Sequence, residues 1–113
     1  MDQSSAIEAL AALSHPTRLD VFRLLVRHAP EGVPSLRIAD TLGAKPSTLS
    51  GHLNVLKRSG LVSSKRNQRE IIYTVDLGTV SDLMLFVVAE CCDGNVASCE
   101  KTFRLFGAAV PAS

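Results

Sequence analysis

Residues 36–58 contain two short helical patterns separated by a tight turn, and this spacing limits the folds open to the chain. The first pattern follows Ser35, a good N-cap residue, and closes at Gly43. The second runs from Pro46 to about Arg58, and Gly60 is its end signal. Two short helices joined by a turn that contains glycine are typical of a helix-turn-helix.

The second of these helices is predicted to have two chemically different faces. Leu49, Leu53 and Leu56 recur at helical spacing and are expected to pack inward. Small polar and basic residues occupy the opposite face and one flank: Ser47, Gly51, Asn54 and Arg58, with Ser50 and Lys57. Such a face suits the major groove, because short donors and acceptors reach base edges while cations reach phosphates. An ordinary solvated helix face is the alternative interpretation.

Positive charge is concentrated in the same part of the chain. The net charge of +1 alone says nothing about nucleic acid. Between residues 45 and 70, however, one carboxylate accompanies six cations, namely Lys45, Lys57, Arg58, Lys65, Arg66 and Arg69. This segment carries +5 and the remainder −4, a distribution expected of phosphate contact. A solvated charged surface is again the alternative.

Two further helices are predicted before the helix-turn-helix. The first covers residues 4–13, with an inward set of Ile7, Leu10, Ala11 and Leu13. The second starts at Pro16 and stops before Pro30, with an inward set of Leu19, Phe22, Leu25 and Val26. Residues 29–34 are rich in turn formers and are predicted to be a loop.

A β-hairpin and a long apolar helix are predicted to follow. Residues 61–65 and 71–75 are β-formers around a basic tip at 66–69, which is typical of a wing that reaches phosphate or the minor groove. Tyr73 is expected to pack in the core or sheet. Residues 76–92 carry more apolar surface than one side of a small domain needs: Val80, Leu83, Met84, Phe86, Val87 and Val88. We expect a dimer interface there, shared with the first helix, although a fully buried monomer helix is an alternative.

All three cysteines, Cys91, Cys92 and Cys99, lie within nine residues. Such clustering indicates a soft-metal or redox site, because three packing residues would not be expected to cluster. The chain has no 18-residue apolar stretch and no secretory signal pattern, so we expect a cytoplasmic protein whose thiols stay reduced and no membrane association. At 113 residues it fits one domain, 1–113.

Two segments carry a family resemblance. LSHPTRL at 13–19 resembles the opening of the second helix in the ArsR/SmtB family of metal-responsive repressors. PSTLSGHLNVLKRSGLV at 46–62 looks like that family's recognition helix and its exit into the wing. The likeness covers about residues 6–90. It implies a homodimer that binds a palindromic operator and releases it on metal or metalloid binding. It also implies DNA contact by Ser47, Thr48, Ser50 and His52.

This chain departs from the family pattern at two positions. Gly51 stands where the family often carries histidine, and Lys45 stands where a small capping residue is common. His52 itself lies about 60° from the apolar face on a helical projection. It is therefore open to two interpretations, packing at a helix boundary or touching DNA.

The effector site is expected at the C-terminal thiols. The family's Cys-x-Cys site at the start of the helix-turn-helix is absent from residues 34–40, and Asp82 has no later histidine with which to build the family's zinc site. Cys91, Cys92 and Cys99 are similar to the thiols of an arsenite-responsive subset. As(III), or the comparably soft Sb(III), takes three thiolates without a fourth ligand. Adjacent cysteines cannot converge inside a regular helix, but the breaker sequence at 93–95 would let them do so.

Other effectors stay open. Zinc, cadmium or lead would serve the same fold, although zinc prefers a fourth ligand and Glu90, Asp93 and Glu100 are weak candidates for it. A constitutive or redox-controlled DNA-binding protein, with a disulfide from Cys91 or Cys92 to Cys99, is a further alternative. An enzyme with a cysteine nucleophile is not expected, because His15, His28 and His52 belong to other helices.

Together these expectations describe a mainly α-helical, α+β winged helix-turn-helix that dimerises through its terminal helices. The helix-turn-helix covers about 36–59, the wing 61–76, and the dimer and effector helix with its cysteine loop 77–99.

Overall fold

The computed structural model describes residues 1–91, with side chains through Ala89. Its elements, in chain order, are α1 (Gln3–Leu13), α2 (Pro16–Arg27), β1 (Val33–Pro34), α3 (Ser35–Leu42), α4 (Pro46–Arg58), β2 (Val62–Asn67), β3 (Glu70–Val75) and α5 (Leu77–Cys91). The predicted breaker at 93–95, Cys92 and Cys99 lie outside the described residues.

The helix-turn-helix forms as predicted. Gly43 ends α3 in the left-handed conformation, with φ of 65°, and its N–H donates to the Ala39 and Asp40 carbonyls. Pro46 occupies the first turn of α4, where its missing N–H costs no hydrogen bond. The expected N-cap was wrong by one residue, because extended Pro34 is the cap position of α3 and Ser35 is already helical.

The leucine face of α4 anchors this helix in the core. Leu49, Leu53 and Leu56 are at most 2% exposed, as the helical spacing predicted. They meet a cluster built from all the preceding helices and the sheet, whose largest fully buried members also include Val21, Leu25, Ile38 and Leu61. Each buried leucine contributes about 1.5–3 kcal/mol, so α4 is held firmly on this side.

The inward faces of α1 and α2 differ from the prediction. In α1 the buried residues are Ala6, Ala9 and Ala12, whereas Ile7, Leu10 and Ala11 are exposed and Leu13 is half-buried. In α2, Leu25 is buried and Phe22 half-buried as predicted, but Leu19 and Val26 are exposed, and Val21 and Leu24 take the inward positions. Both helices carry apolar side chains on more than one side, so the size of these side chains alone did not predict which face is buried.

The apolar helix α5 is only partly covered. Leu83 and Val88 are buried and Val80 and Phe86 half-buried, whereas Met84 and Val87 are exposed. The fully buried monomer helix, which the sequence left open, is therefore wrong. α5 packs against α1.

A three-stranded antiparallel sheet in the order β1-β3-β2 completes the fold. The wing strands are longer than predicted, because Arg66 pairs with Ile71 and Asn67 with Glu70, which leaves Gln68 and Arg69 as the turn. Gln68 adopts φ of 59° there. Tyr73 is buried in β3, as expected. The strand β1 was missed, because Val33–Pro34 is too short to show a periodic pattern and adjoins turn residues.

Gly32 allows β1 to reach β3. Its φ is +86°, and a Cβ at this position would lie 2.6 Å from the Tyr73 carbonyl oxygen. Gly43 also has positive φ, at +65°, but nothing lies within 4 Å of its Cβ position. Comparing substitutions at Gly32 and Gly43 therefore separates the cost of backbone strain from the cost of steric conflict.

We expect Gly32→Ala to lower the free energy of unfolding by at least about 2 kcal/mol, because strain and overpacking act together. Gly43→Ala is the matched control and should cost about 1 kcal/mol through the unfavourable φ alone. Urea unfolding at equal protein concentration measures both. Equal costs for the two variants would contradict the close approach at Gly32.

Candidate nucleic-acid interface

The face of α4 opposite the leucines is open to solvent. Ser47, Ser50, Gly51, Asn54, Lys57 and Arg58 are all exposed, and so is Thr48. Asn54, Lys57 and Arg58 line one shallow depression. The structure thus brings these predicted site residues together on one polar and basic helix surface. Their contact with DNA stays a prediction.

The N-terminus of α4 adds an anion-favouring feature. Lys45 is the N-cap residue, and its side chain makes no capping hydrogen bond to the first turn. The first N–H groups of a helix and its dipole favour a negative charge nearby. Exposed Lys45 places a cation at the same end. This combination suits a phosphate next to the exposed face of α4.

The wing presents the remaining predicted cations. Lys65, Arg66 and Arg69 are exposed on the β2–β3 hairpin. Arg66 Nε donates to the Gln68 carbonyl oxygen at 3.3 Å, which holds this guanidinium beside the turn. The basic hairpin is packed against α4 through β2.

His52 differs from the other predicted contact residues because it is half-buried between helices. Its Nδ1 lies 3.4 Å from Arg18 Nη1. Its ring centroid lies 4.4 Å from that of His15, with the planes 38° apart. The boundary position allowed by the sequence is therefore the one observed, while a role for His52 in DNA contact remains untested.

The LSHPTRL segment builds the other side of this contact. His15 caps α2, since its Nδ1 accepts the Thr17 N–H at 3.1 Å. Arg18 Nε donates to the Ala12 carbonyl oxygen at 2.6 Å, and Nη2 donates to that of Ala11 at 3.5 Å. The end of α1, the start of α2 and the middle of α4 meet here. Sequence reasoning used this segment only as a family signature and missed its role as a three-helix junction.

The environment of His52 disfavours a proton on its ring. Burial lowers the pKa of His52 below its ordinary 6.5, and the nearby charges of His15 and Arg18 lower this pKa further. His52 is therefore mainly neutral at pH 7 and can accept a hydrogen bond.

Of the three predicted thiol ligands, Cys91 lies within the described residues. Cys91 is the last residue of α5, while Cys92 and Cys99 lie outside the described residues. Among residues 1–89, whose side chains the structure describes, no group of three or more His, Cys, Asp or Glu side chains is placed to hold a metal ion. In the same part of the chain, none of the helices combines the length and apolarity needed to cross a membrane.

Comparison with known sequences agrees with the fold. A family described as a helix-turn-helix domain matches residues 13–64. An uncharacterized HTH-type transcriptional regulator of Mycobacterium tuberculosis is 32% identical over 77 residues, which cover 68% of this chain and 66%, just under two thirds, of that relative. A second, from Methanocaldococcus jannaschii, is 30% identical over 82 residues, covering 73% of this chain and 90% of the relative. A biofilm growth-associated repressor of Xylella fastidiosa is 36% identical over 76 residues, covering 66% and 63%.

Solved structures give the same picture. NolR from Sinorhizobium fredii is 30% identical, with a TM-score of 0.61, over 78% of this chain and 84% of NolR. A possible transcriptional regulator for arsenical resistance is 26% identical, with a TM-score of 0.63, over 71% and 80%. The homodimeric winged helix-turn-helix domain of Mb0332 from Mycobacterium bovis, a possible ArsR-family regulator, shares the fold at 24% identity and a TM-score of 0.62, over 79% and 81%.

The fold and these comparisons define a winged helix-turn-helix protein of the transcription-regulator class, so the expectation that the chain is not an enzyme is confirmed by its relatives. Within that class, the chain belongs to the HTH-type transcriptional regulators.

Gly51 allows the effect of a helix-interior glycine on the stability of α4 to be measured. It is exposed in the middle of the helix, and nothing lies within 4 Å of its Cβ position. We expect Gly51→Ala to raise the free energy of unfolding by about 0.5–1 kcal/mol, because alanine loses less backbone entropy in a helix. Chemical denaturation measures this change. A loss of stability would contradict the open surroundings of Gly51.

Proposed function

We propose that this protein is a homodimeric transcriptional repressor that binds operator DNA and releases it when As(III) binds Cys91, Cys92 and Cys99. The observation that carries the DNA-binding part is the exposed polar and basic face of α4, fixed opposite three buried leucines and followed directly by a basic wing. A repressor role is supported by the Xylella relative, whose name describes a repressor. The cytoplasmic location expected for reduced thiols belongs to the same proposal.

DNA binding follows from the chemistry of the two surfaces. On α4, the exposed Ser50 and Asn54 side chains carry short donors and acceptors for base edges. Lys57 and Arg58 supply cations for phosphates at the C-terminal end of that helix, and Lys45 does so at its N-terminal end. The wing cations extend the same charge beyond the helix. Binding should therefore weaken steeply as salt rises.

Exposed apolar side chains on α1 and α5 support the dimer. These helices contact each other, and exposed residues on them include Ile7, Leu10, Leu77, Met84, Leu85 and Val87. A second copy of the chain would remove this surface from water. The homodimeric domain from Mycobacterium bovis, which shares the fold, supports this arrangement. Two recognition helices about 34 Å apart could then enter successive major grooves.

The chemistry of the thiol ligands supports As(III) as the effector. Cys91 lies at the end of α5, and Cys92 and Cys99 follow it in the sequence. Three thiolates suit a soft trivalent ion such as As(III) or Sb(III). A structural neighbour described as a possible regulator for arsenical resistance supports this assignment. Zinc, cadmium, lead and thiol oxidation are the competing signals.

Effector binding would act through α5. Cys91 lies at the end of the helix that we assign to the dimer interface, so drawing the thiols around one ion would act on that interface. A small shift there changes the separation of the two recognition helices. Coupling between sites is usually about 1–3 kcal/mol, which corresponds to a loss of about 5- to 150-fold in DNA affinity. By reciprocity, operator DNA should weaken effector binding by the same factor.

The effector proposal is tested on a duplex selected from a random-sequence pool by the reduced full-length protein. We expect arsenite to release this duplex in fluorescence anisotropy, and Cys99→Ser to lose the release while keeping DNA affinity, because two thiols leave As(III) under-coordinated. Zinc and diamide are titrated in parallel.

The outcomes separate the parts of the proposal. Release by zinc or diamide alone would replace As(III) as the signal but keep the repressor. Equal arsenite affinity with and without DNA would refute the coupling. Failure to enrich any duplex would refute the DNA-binding function itself.

The dimer makes a separate prediction. Met84→Glu on α5 should convert a species of twice 12.1 kDa into a monomer in sedimentation velocity, because it places a charge in the proposed apolar interface. Leu36→Glu, at an exposed leucine on α3, is the matched control and should leave the dimer intact. Dissociation by both substitutions, or by neither, would contradict an interface built from α1 and α5.

A further inference from the structure

The junction of His15, Arg18 and His52 is half-buried and links three helices to one another. We propose that Arg18 and neutral His52 form a pH-sensitive positioning contact for α4, and that protonation of His52 releases this contact and weakens DNA binding. The proposal rests on the DNA-binding function proposed above. It assigns Arg18 and His52 a positioning role, since neither needs to touch DNA for the contact to act.

The donor and acceptor chemistry fixes the required protonation state. A guanidinium carries only N–H donors, so the contact of 3.4 Å between Arg18 Nη1 and His52 Nδ1 is a hydrogen bond only if Nδ1 accepts. The His52 proton then lies on Nε2 and the ring is neutral. An imidazolium has donors at both nitrogens, and it would set a positive charge against Arg18.

Arg18 is held in place by α1 and cannot simply turn away. Its Nε donates to the Ala12 carbonyl oxygen at 2.6 Å, and its Nη2 donates to the Ala11 carbonyl oxygen at 3.5 Å. These carbonyls belong to the C-terminal turn of α1, where a cation is also favoured by the helix dipole. When His52 gains a proton, the repulsion therefore falls on α4, which carries the recognition surface.

The charges around the junction are mostly positive. From α2, the ring of His15 and the guanidinium of Arg18 face His52. From α1 and α4, Glu8 and Arg58 line a groove of about 270 Å³ that Arg18 also lines. Burial, His15 and Arg18 lower the pKa of His52 from 6.5, which agrees with a contact that needs the neutral ring.

His15 is the third member of the junction. Its Nδ1 accepts the Thr17 N–H at 3.1 Å and so caps α2. Its ring centroid lies 4.4 Å from that of His52. His15 therefore connects the start of α2 to the middle of α4 at this junction.

The decisive variant is His52→Asn. The asparagine Oδ1 takes approximately the place of Nδ1 and accepts a hydrogen bond at every pH. The control variant is His28→Asn, which changes the exposed histidine at the other end of α2. Affinity for the selected duplex is measured by anisotropy at about pH 7.5 and about pH 5.5, at constant salt, because His52 titrates below 6.5.

We expect the wild-type protein and His28→Asn to lose about fivefold or more in affinity on acidification, the lower end of ordinary coupling. His52→Asn should lose much less. This sign is informative, because extra positive charge alone would strengthen attraction to phosphates. A gain in affinity at low pH, or the same loss in His52→Asn as in the wild type, would overturn the proposal.

Nitrogen-15 NMR of the imidazole rings tests the junction without DNA. We expect His52 to be neutral at about pH 7.5, with its proton on Nε2, and Arg18→Gln to change that ring's titration. A proton on Nδ1 would overturn the contact even if DNA binding stands. Failure to enrich any duplex would instead refute the proposed DNA binding. The NMR measurement would still test the contact between Arg18 and His52.

Discussion

Burial of the leucine face of α4 is the constraint on which the rest of the structure depends. Leu49, Leu53 and Leu56 are fully enclosed, so the helix cannot rotate about its axis without exposing them. Their spacing therefore determines which residues meet solvent. The polar surface that we assign to DNA is fixed by hydrophobic packing on the reverse side. A core contributed by α2, α3 and the sheet keeps that packing in a single arrangement.

The helix-turn-helix could be predicted closely because several independent signals agreed. Gly43 supplied the left-handed cap, Pro46 fixed the first turn of α4, and the leucine spacing fixed its face. Agreement between turn chemistry and periodicity leaves few alternatives. The exposed set on α4 followed from the same geometry. The strand β1 escaped prediction because its two residues carry no period, and only pairing with β3 makes it a strand.

The terminal helices were harder to predict for a different reason. α1 has alanines on one side and larger apolar residues on another, and the single protomer buries Ala6, Ala9 and Ala12. A single sequence does not say which apolar face meets its own chain and which meets another. The junction of Arg18 with His52 was equally hidden, because residues 34 positions apart meet only in the fold.

The two edges of the small sheet have contrasting chemistry. β1 is one edge, and its Pro34 has no N–H to offer to an incoming strand. β2 is the other edge and displays Lys65 and Arg66. Charged and proline-bearing edges discourage strand addition between molecules. The wing cations that we assign to phosphate contact thus also disfavour edge-to-edge aggregation of the protein. Replacing them would expose the sheet to self-association as well as weaken its hold on DNA.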